Sequence, residues 1–273
     1  MRGDGLYHGD CLEVLANVPA ETVALVMTSP PYAMRRRHVY GGIPADQYVA
    51  WILPRLNACY RILKPTGSLV LNIKEHVENG ERHPYVLSLI LAMRQHGWRW
   101  TEEYIWHKKN SVPGYWPNRF RDAWERLLHF TKAKRFIMNQ DAVKVPIGAW
   151  SRSRLKSLGA RDYTRQLSRT QSGFSRSMAY WVGKQTVAPT NVLHLATECG
   201  YRGYSAVFPE ALPAWFIRLL SQPGDLIVDP FCGAGTTCVA AKRLGRRYLG
   251  IDTQEKAWRL AREAVARVSV DKG

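Results

Sequence analysis

The stretch DLIVDPFCGAGTTCVAAKRLG, residues 225–245, decides the fold prediction. LIVD is a short apolar run that ends in the carboxylate of Asp229, and TTCVAAKRLG has the composition of a helix that stops at a glycine. Gly233 and Gly235 stand at the turn between them, where glycine permits positive φ and the close approach of a ligand. This order predicts a nucleotide-binding unit of an α/β protein, although similar turns also occur in α/β proteins without a ligand there.

The surroundings of this turn narrow the class of ligand. Asp252 ends the next apolar run, YLGID, and an acid there can accept hydrogen bonds from both hydroxyls of a ribose. Its alternative role is to cap the last helix. The turn has neither the GxGxxG of a dinucleotide site nor the GK[ST] ending of a phosphate loop. The pattern therefore favours a nucleoside with a short, compact tail.

The rest of the chain alternates between two kinds of segment. TVALVM (22–27) and SLVLNI (68–73) predict strands buried on both faces, and helical patterns stand between such runs. The alternation predicts an α/β fold with a mostly parallel, twisted sheet flanked by helices. RLLHFTKAKRFIM (126–138) predicts two strands joined by a turn at KAK.

A change of texture divides the chain. Residues 139–203 are rich in Ser, Arg and Gly and poor in aliphatic side chains, whereas regular patterns stand on both sides. This predicts one domain in two parts, 1–138 and 204–273. The stretch between them, 139–203, is then a basic insert.

The charge balance indicates a polyanionic partner. Among 273 residues, 39 Lys and Arg stand against 22 Asp and Glu, a formal net charge of +17. This favours nucleic acid over a membrane surface, because no apolar run reaches the length of a membrane span. The start has no signal-peptide core, and the five cysteines and eight histidines match no metal motif. We expect a reduced, cytoplasmic or nucleoid-associated protein without a metal.

TSPPY, residues 28–32, is a second candidate site. Pro30 and Pro31 cannot donate to a sheet ladder and fix their own φ, so the strand before them must end at Thr28 or Ser29. A stiff turn follows, and it holds Ser29 and Tyr32 in fixed directions. Such a turn suits a binding site, and it also suits an ordinary loop.

Taken together, TSPPY and DPFCGAGTT resemble the motifs of the DNA amino-methyltransferases. The resemblance extends to GDCLEVL (9–15), RILKPTGSLVLN (61–72) and FPEALPAWFIRLL (208–220), and so covers nearly the whole chain outside the insert. The catalytic tetrapeptide precedes the cofactor loop, and this order is similar to that of the permuted beta group. It implies that 1–138 is the catalytic part and 204–273 the cofactor-binding part of one domain, with 139–203 as a basic target-recognition insert. The resemblance implies a Rossmann-like methyltransferase fold with circularly permuted motif order, and S-adenosyl-L-methionine as cofactor.

The resemblance also implies a reaction. Ser29 at the head of the tetrapeptide is similar to the cytosine-N4 members, which implies methyl transfer to N4 of a cytosine extruded from duplex DNA. Adenine N6 is the main alternative. The sequence also leaves open an RNA or protein methyltransferase and a non-catalytic nucleic-acid-binding protein. Double-stranded DNA is the implied partner, and a cognate restriction endonuclease and a homodimer are further expectations.

Site roles are implied residue by residue. Ser29 Oγ and the Pro30 carbonyl would accept hydrogen bonds from the target amino group, the Pro30–Pro31 backbone would keep them rigid, and Tyr32 would stack on the base. The implied cofactor residues are Asp10, Thr28, Phe208, Asp229, Phe231, Cys232, Gly233, Gly235, Thr236 and Asp252. Some have structural alternatives: Asp10 as a helix N-cap, Phe208 as core and Cys232 as packing.

Arginines are the predicted contacts to DNA. They would bond guanine edges or neutralise phosphates, and a solvated charged surface is the alternative for each. The candidates are Arg35, Arg36, Arg37, Arg119, Arg152, Arg154, Arg165 and Arg169. The loop PGYWPNRFRDAW (113–124) adds aromatic side chains that could touch DNA or fill the space left by the base. Tyr204 departs from the family, which often has histidine there.

Overall fold

The computed structural model describes residues 5–34, 42–111, 113–115, 117–159, 162, 181–198 and 208–270. Contacts divide the chain into two compact units, the first made of 1–139 with 191–273 and the second of 140–190. The strands are β1 (Gly5–His8), β2 (Val23–Thr28), β3 (Leu63–Ile73), β4 (Val77–Glu78), β5 (Glu81–Arg82), β6 (Arg99–Lys108), β7 (Trp124–Thr131), β8 (Val145–Pro146), β9 (Thr186–Val187), β10 (Val192–Leu195), β11 (Leu226–Asp229) and β12 (Arg247–Asp252). The α-helices are α1 (Cys11–Ala16), α2 (Tyr48–Ile62), α3 (Tyr85–Gln95), α4 (Ala149–Lys156), α5 (Ala211–Leu220), α6 (Thr236–Arg243) and α7 (Glu255–Ala266).

Eight of these strands form the large sheet of the first unit. Their order is β1-β12-β11-β2-β3-β7-β6-β10. All neighbours run parallel except at β7, which is antiparallel to both β3 and β6. Because β7 alone is reversed, its first residues lie at the edge of the sheet where the other strands end.

The core explains why this sheet forms. β2 lies near the middle, and all six of its residues are buried, as expected for a parallel strand covered on both faces. In α2, Tyr48, Ile52 and Leu56 recur every four residues and share one buried face. They belong to one apolar cluster with Leu69 and Leu71 of β3. The predicted α/β fold, with a mostly parallel sheet flanked by helices, is confirmed.

The predicted strand pair at 126–138 is wrong. Only β7 forms there, and none of the described residues 132–138 is in a strand. β7 pairs with β6 instead, with Arg99 opposite Thr131. The chain after β7 crosses the start of β3, where the Ile137 N–H donates to the Thr66 carbonyl at 3.2 Å. Both edges of β7 are already paired, one with β3 and the other with β6, so a return strand has no free edge of β7 to join.

The second unit contains part of the predicted insert. Its described residues include α4 and the short antiparallel pair β8–β9, in which Val145 lies opposite Val187. The insert was predicted to extend to residue 203, whereas β10 joins the large sheet beside β6 and groups with the first unit. No helix among the described residues has the length and apolar character needed to cross a bilayer.

Candidate active site

The two motifs singled out in the sequence open into one cavity of the first unit. The turn after β2 and the glycine turn after β11 both contribute to its wall, and its volume is about 1220 Å³. This places the cavity at the carboxyl edge of the parallel strands, where α/β folds bind their ligands. The predicted site residues that line it are Asp10, Ser29, Pro30, Pro31, Tyr32, Arg119, Phe208, Asp229, Phe231, Cys232, Gly233, Thr236 and Asp252.

Asp229 connects the two motifs through buried hydrogen bonds. Its Oδ1 accepts from Thr28 Oγ1 at 2.6 Å and from the Phe231 N–H at 3.1 Å, and its Oδ2 accepts from Thr237 Oγ1 at 2.6 Å. Burial raises the pKa of Asp229 to about 6. The carboxyl therefore holds the end of β2, the glycine turn and the first turn of α6 in one arrangement.

Thr28 and Gly235 differ from their predicted cofactor contacts. Thr28 is fully buried and its hydroxyl is bonded to Asp229, so it supports the cavity wall from behind. Gly235 has φ +85°, and a Cβ there would lie 2.8 Å from the Cβ of Ala261 in α7. Glycine is required at 235 for backbone conformation and helix packing. Neither residue lines the cavity.

Asp252 organises the opposite side of the glycine turn. Its Oδ2 accepts from the Gly233 N–H and its Oδ1 from the Gln254 N–H, both at 2.8 Å. Burial raises the pKa of this carboxyl, and the two backbone bonds oppose that effect. The bond to Gln254 lies just before α7 and partly matches the predicted capping role. Each carboxylate oxygen keeps acceptor capacity, because a carboxylate offers about four lone-pair sites.

Aromatic and charged side chains from the start of α1, from α2 and from the glycine turn line one side of the cavity. Asp10 is the N-cap of α1, as its structural alternative predicted, with Oδ1 accepting from the Leu12 N–H at 2.7 Å. Its Oδ2 pairs with Arg55 at 3.1 Å. The Arg55 guanidinium lies over the Trp51 ring, and that ring packs on Phe231 with centroids 5.7 Å apart. Trp51 and Arg55 both line the cavity and were missed in the sequence, where their i, i+4 spacing was the available signal.

Tyr32 is held at the other end of the cavity by a buried carboxylate. Its hydroxyl donates to Glu125 Oε2 at 2.7 Å and lies 3.3 Å from Ser29 Oγ. Glu125 also accepts from Asn72 Nδ2 at 3.1 Å and forms an ion pair with Lys108. Burial and the charge of Glu125 raise the pKa of Tyr32 well above its usual value, so the phenol stays protonated.

Glu125, Asn72 and Lys108 are site residues that sequence reasoning missed. Burial alone would raise the pKa of Glu125, but Lys108 and the bonds from Tyr32 and Asn72 outweigh it and hold the pKa below its usual value. Glu125 is the second residue of β7, and it reaches the site because β7 is reversed. Parallel strands carry site residues at their carboxyl ends, whereas Glu125 lies at the start of β7. Only the antiparallel direction of β7 could have identified it as a site residue, and the sequence did not show that direction.

The loop after β6 forms the mouth of the cavity. Phe120 is 96% exposed and still lines the opening, with Arg119 and Arg121 on either side. Asp122 follows and is held by Lys74 at 3.2 Å and by Arg82 at 2.7 Å. The cavity opening therefore carries the aromatic ring of Phe120 between the cationic side chains of Arg119 and Arg121. The ion pairs of Asp122 fix the loop at the next residue.

The other predicted DNA contacts fall into two groups. Arg152 and Arg154 lie in α4 of the second unit, where Arg154 pairs with Asp162 at 2.7 Å. Asp162 therefore neutralises part of the positive charge of Arg154, which was predicted to contact DNA. The remaining candidates lie outside the described residues, as does Tyr204: Arg35, Arg36, Arg37, Arg165 and Arg169.

The fold and the cavity define a Rossmann-like α/β protein with its ligand site at the carboxyl edge of the sheet. The family model described as DNA methylase matches residues 23–263, and the chain belongs to this family. The chain is 29% identical over 268 residues to the Type II methyltransferase M.PvuII of Proteus hauseri. That match covers 90% of this chain and 79% of the relative.

Solved structures agree with this assignment at the level of the fold. The PvuII DNA methyltransferase, described as cytosine-N4-specific, superposes with a TM-score of 0.73 at 24% identity, over 100% of this chain and 89% of that one. TTHA0409 of Thermus thermophilus, in complex with S-adenosyl-L-methionine, superposes with a TM-score of 0.63. Its identity is 26%, over 97% of this chain and 93% of that one. The family predicted from the two motifs is confirmed.

Proposed function

We propose that this protein transfers a methyl group from S-adenosyl-L-methionine to N4 of a cytosine extruded from duplex DNA. The observation that carries the proposal is the shared cavity, in which the Ser29–Tyr32 turn and the Gly233 turn face the same space. Membership of the DNA methylase family supports the reaction class. The likeness to M.PvuII, whose solved structure is described as cytosine-N4-specific, supports cytosine N4. Adenine N6 is not favoured by that likeness.

The glycine-turn end of the cavity fits the cofactor. S-adenosyl-L-methionine supplies an electrophilic methyl group on a sulfonium when it is bound. Asp252 would accept from the ribose hydroxyls, and Asp10 from the adenine amino group. Phe231, braced by Trp51, offers an apolar face to the adenine ring, with Phe208 as a further wall. Gly233 and the neighbouring backbone, with Cys232 and Thr236, leave room for the methionine part.

The proline-turn end fits the target base. The exocyclic amine of cytosine is a poor nucleophile because its lone pair is delocalised into the ring. Ser29 Oγ and the Pro30 carbonyl would accept from its hydrogens and localise that lone pair toward the methyl group. The Pro30–Pro31 backbone is rigid, so little reorganisation remains in the transition state. Tyr32 would stack on the base, and no covalent intermediate with Cys232 is required.

The surface around the mouth fits a polyanion. The net charge of +17 favours the phosphate backbone. Arg119 and Arg121 line the cavity and would contact DNA as a base enters it. We assign phosphate contacts to Arg35, Arg36 and Arg37. The basic insert is the proposed target-recognition region, with Arg152, Arg154, Arg165 and Arg169 as its candidates. A cognate endonuclease, a homodimer and a nucleoid-associated, cytoplasmic location stay predictions.

Product analysis tests this proposal. The purified protein is incubated with S-adenosyl-L-methionine and plasmid DNA, and the nucleosides are identified by mass spectrometry after digestion. We expect N4-methylcytosine from the wild type and almost none from Ser29→Ala. N6-methyladenine as the product would refute the assignment of the base. Methylation of RNA in place of duplex DNA, in a parallel reaction, would refute the assignment of the partner.

A further inference from the structure

The side chains of Ser29, Tyr32 and Glu125 form a chain of hydrogen bonds. The two hydroxyl groups supply one proton each, and the carboxylate supplies none. Tyr32 has one hydroxyl proton, and it is given to Glu125 Oε2 at 2.7 Å. The contact of 3.3 Å between Tyr32 and Ser29 must then use the proton of Ser29. Ser29 Oγ is left with free lone pairs and no proton directed into the cavity that it lines.

We propose that Glu125 is a positioning residue that fixes the direction of this chain and thereby makes Ser29 a hydrogen-bond acceptor toward the substrate amine. The inference rests on the proposed methyl transfer. Without a fixed acceptor behind Tyr32, the hydroxyl of Ser29 can turn and donate into the cavity. A donor there would oppose the substrate N–H instead of accepting from it.

Glu125 is itself fixed by its other neighbours. Asn72 uses one amide proton on Glu125 Oε2 and the other on the Arg126 carbonyl, both at 3.1 Å, so its orientation is defined. Lys108 occupies Oε1. The Glu125 side chain is only 11% exposed, and its three neighbours are all donors. An anion is the one state of Glu125 that satisfies every bond in this group.

Glutamine at 125 should reverse the chain. Lys108 requires an oxygen at the Oε1 position, which turns the amide nitrogen toward Tyr32 and Asn72. The Tyr32 hydroxyl then accepts from the amide and gives its proton to Ser29. Ser29 Oγ would direct its own proton into the cavity. The shape of the site is conserved in this variant. The bonds through Tyr32 and Ser29 reverse, and the bond from Asn72 is lost because its Nδ2 would face the glutamine nitrogen.

A double-mutant cycle tests the coupling. Tyr32→Phe keeps the stacking ring and removes the relay, and Glu125→Gln reverses it. We expect each single change to lower kcat about 10- to 100-fold, the range for a hydrogen bond to a charged group, with KM for S-adenosyl-L-methionine unchanged. The double variant should be no slower than the slower single variant. Multiplicative losses would overturn the inference.

A second readout does not depend on turnover. Tyrosine labelled with ¹³C at Cζ gives one resonance that disappears in Tyr32→Phe, which assigns it to Tyr32. We expect that resonance to shift in Glu125→Gln and to stay in place in the surface control Glu263→Gln, with Tyr60→Phe as the control for assignment. An unchanged Tyr32 resonance would overturn the inference. Absence of nucleic-acid methylation by the wild type would refute the proposed function. The NMR measurement tests the hydrogen bond between Tyr32 and Glu125 independently of that activity.

Discussion

Replacing Asp229 with asparagine should remove a large pH dependence from the stability of the protein. Burial raises the pKa of this carboxyl from an ordinary 3.8 to about 6. The native state therefore binds the proton more tightly than the unfolded chain. The resulting stability is fully present below about pH 4 and is lost as the pH rises through 6. A shift of about 2 pH units corresponds to about 3 kcal/mol in the free energy of unfolding.

The Asp229→Asn variant isolates this contribution from those of other groups. The asparagine side chain has the same shape as the aspartate, and the hydroxyls of Thr28 and Thr237 can turn so that one donates to its oxygen and the other accepts from its nitrogen. The variant cannot ionise. We expect the free energy of unfolding of the wild type, minus that of the variant, to fall by about 3 kcal/mol between pH 3.5 and pH 7.5.

Urea unfolding followed by circular dichroism at a series of pH values measures this difference. Asp46→Asn, at an exposed position, is the matched control for loss of a carboxylate. A difference between wild type and Asp229→Asn that stays constant with pH would show that Asp229 binds its proton equally well in the native and unfolded states. We also expect Asp229→Asn to keep its affinity for S-adenosyl-L-methionine, because the Asp229 side chain is buried and already accepts three internal hydrogen bonds, one more than Asp252.

Three further predictions concern the cavity. Tyr32→Ala should abolish turnover and keep most of the cofactor affinity measured by calorimetry; equal loss of both would contradict the stacking role. Asp252→Ala should weaken cofactor binding by about tenfold or more, since about 1.5–3 kcal/mol is typical of bonds to a charged acceptor, and an unchanged Kd would remove it from the site. Phe120→Ala should slow methylation of a paired target cytosine more than that of a mismatched one, because an inserted ring helps to hold the duplex open. Equal slowing on both substrates would exclude that role.

The glycine turn and the proline turn could be predicted because their local sequences are restrictive. Gly233 has φ +52° and Gly235 has φ +85°, values that other residues rarely adopt. Two successive prolines cannot continue a central strand, because neither can donate a hydrogen bond to the ladder. These local rules predicted both turns, and the pairing of β2 with β11 brings the two turns to one cavity.

The acceptor group around Glu125 could not be predicted in the same way. Glu125 is separated from Tyr32 by 93 residues, and the two meet only because β7 runs against its neighbours. The sequence WERLLHFT is typical of a strand in either direction. The same uncertainty produced the false strand pair at KAK. Direction and partner of a strand depend on long-range pairing, which local pattern does not encode.

Thr28 and Gly235 show a different limit. Both belong to motifs that were identified correctly, but neither lines the cavity, whereas their chain neighbours Ser29 and Ala234 do. Alternation along β2 and the packing of Ala261 on the glycine turn decide which is which.

The proposed reaction requires that the methyl donor and the target base meet in one cavity, between the glycine turn and the proline turn. A crystal structure with S-adenosyl-L-methionine and a duplex containing the target cytosine measures this most directly. We expect the sulfonium methyl group to point at N4 of an extruded cytosine, within hydrogen-bonding reach of Ser29 Oγ and the Pro30 carbonyl. A cofactor bound away from Gly233 and Asp252, or a base that remains stacked in the duplex while methyl transfer proceeds, would contradict the account.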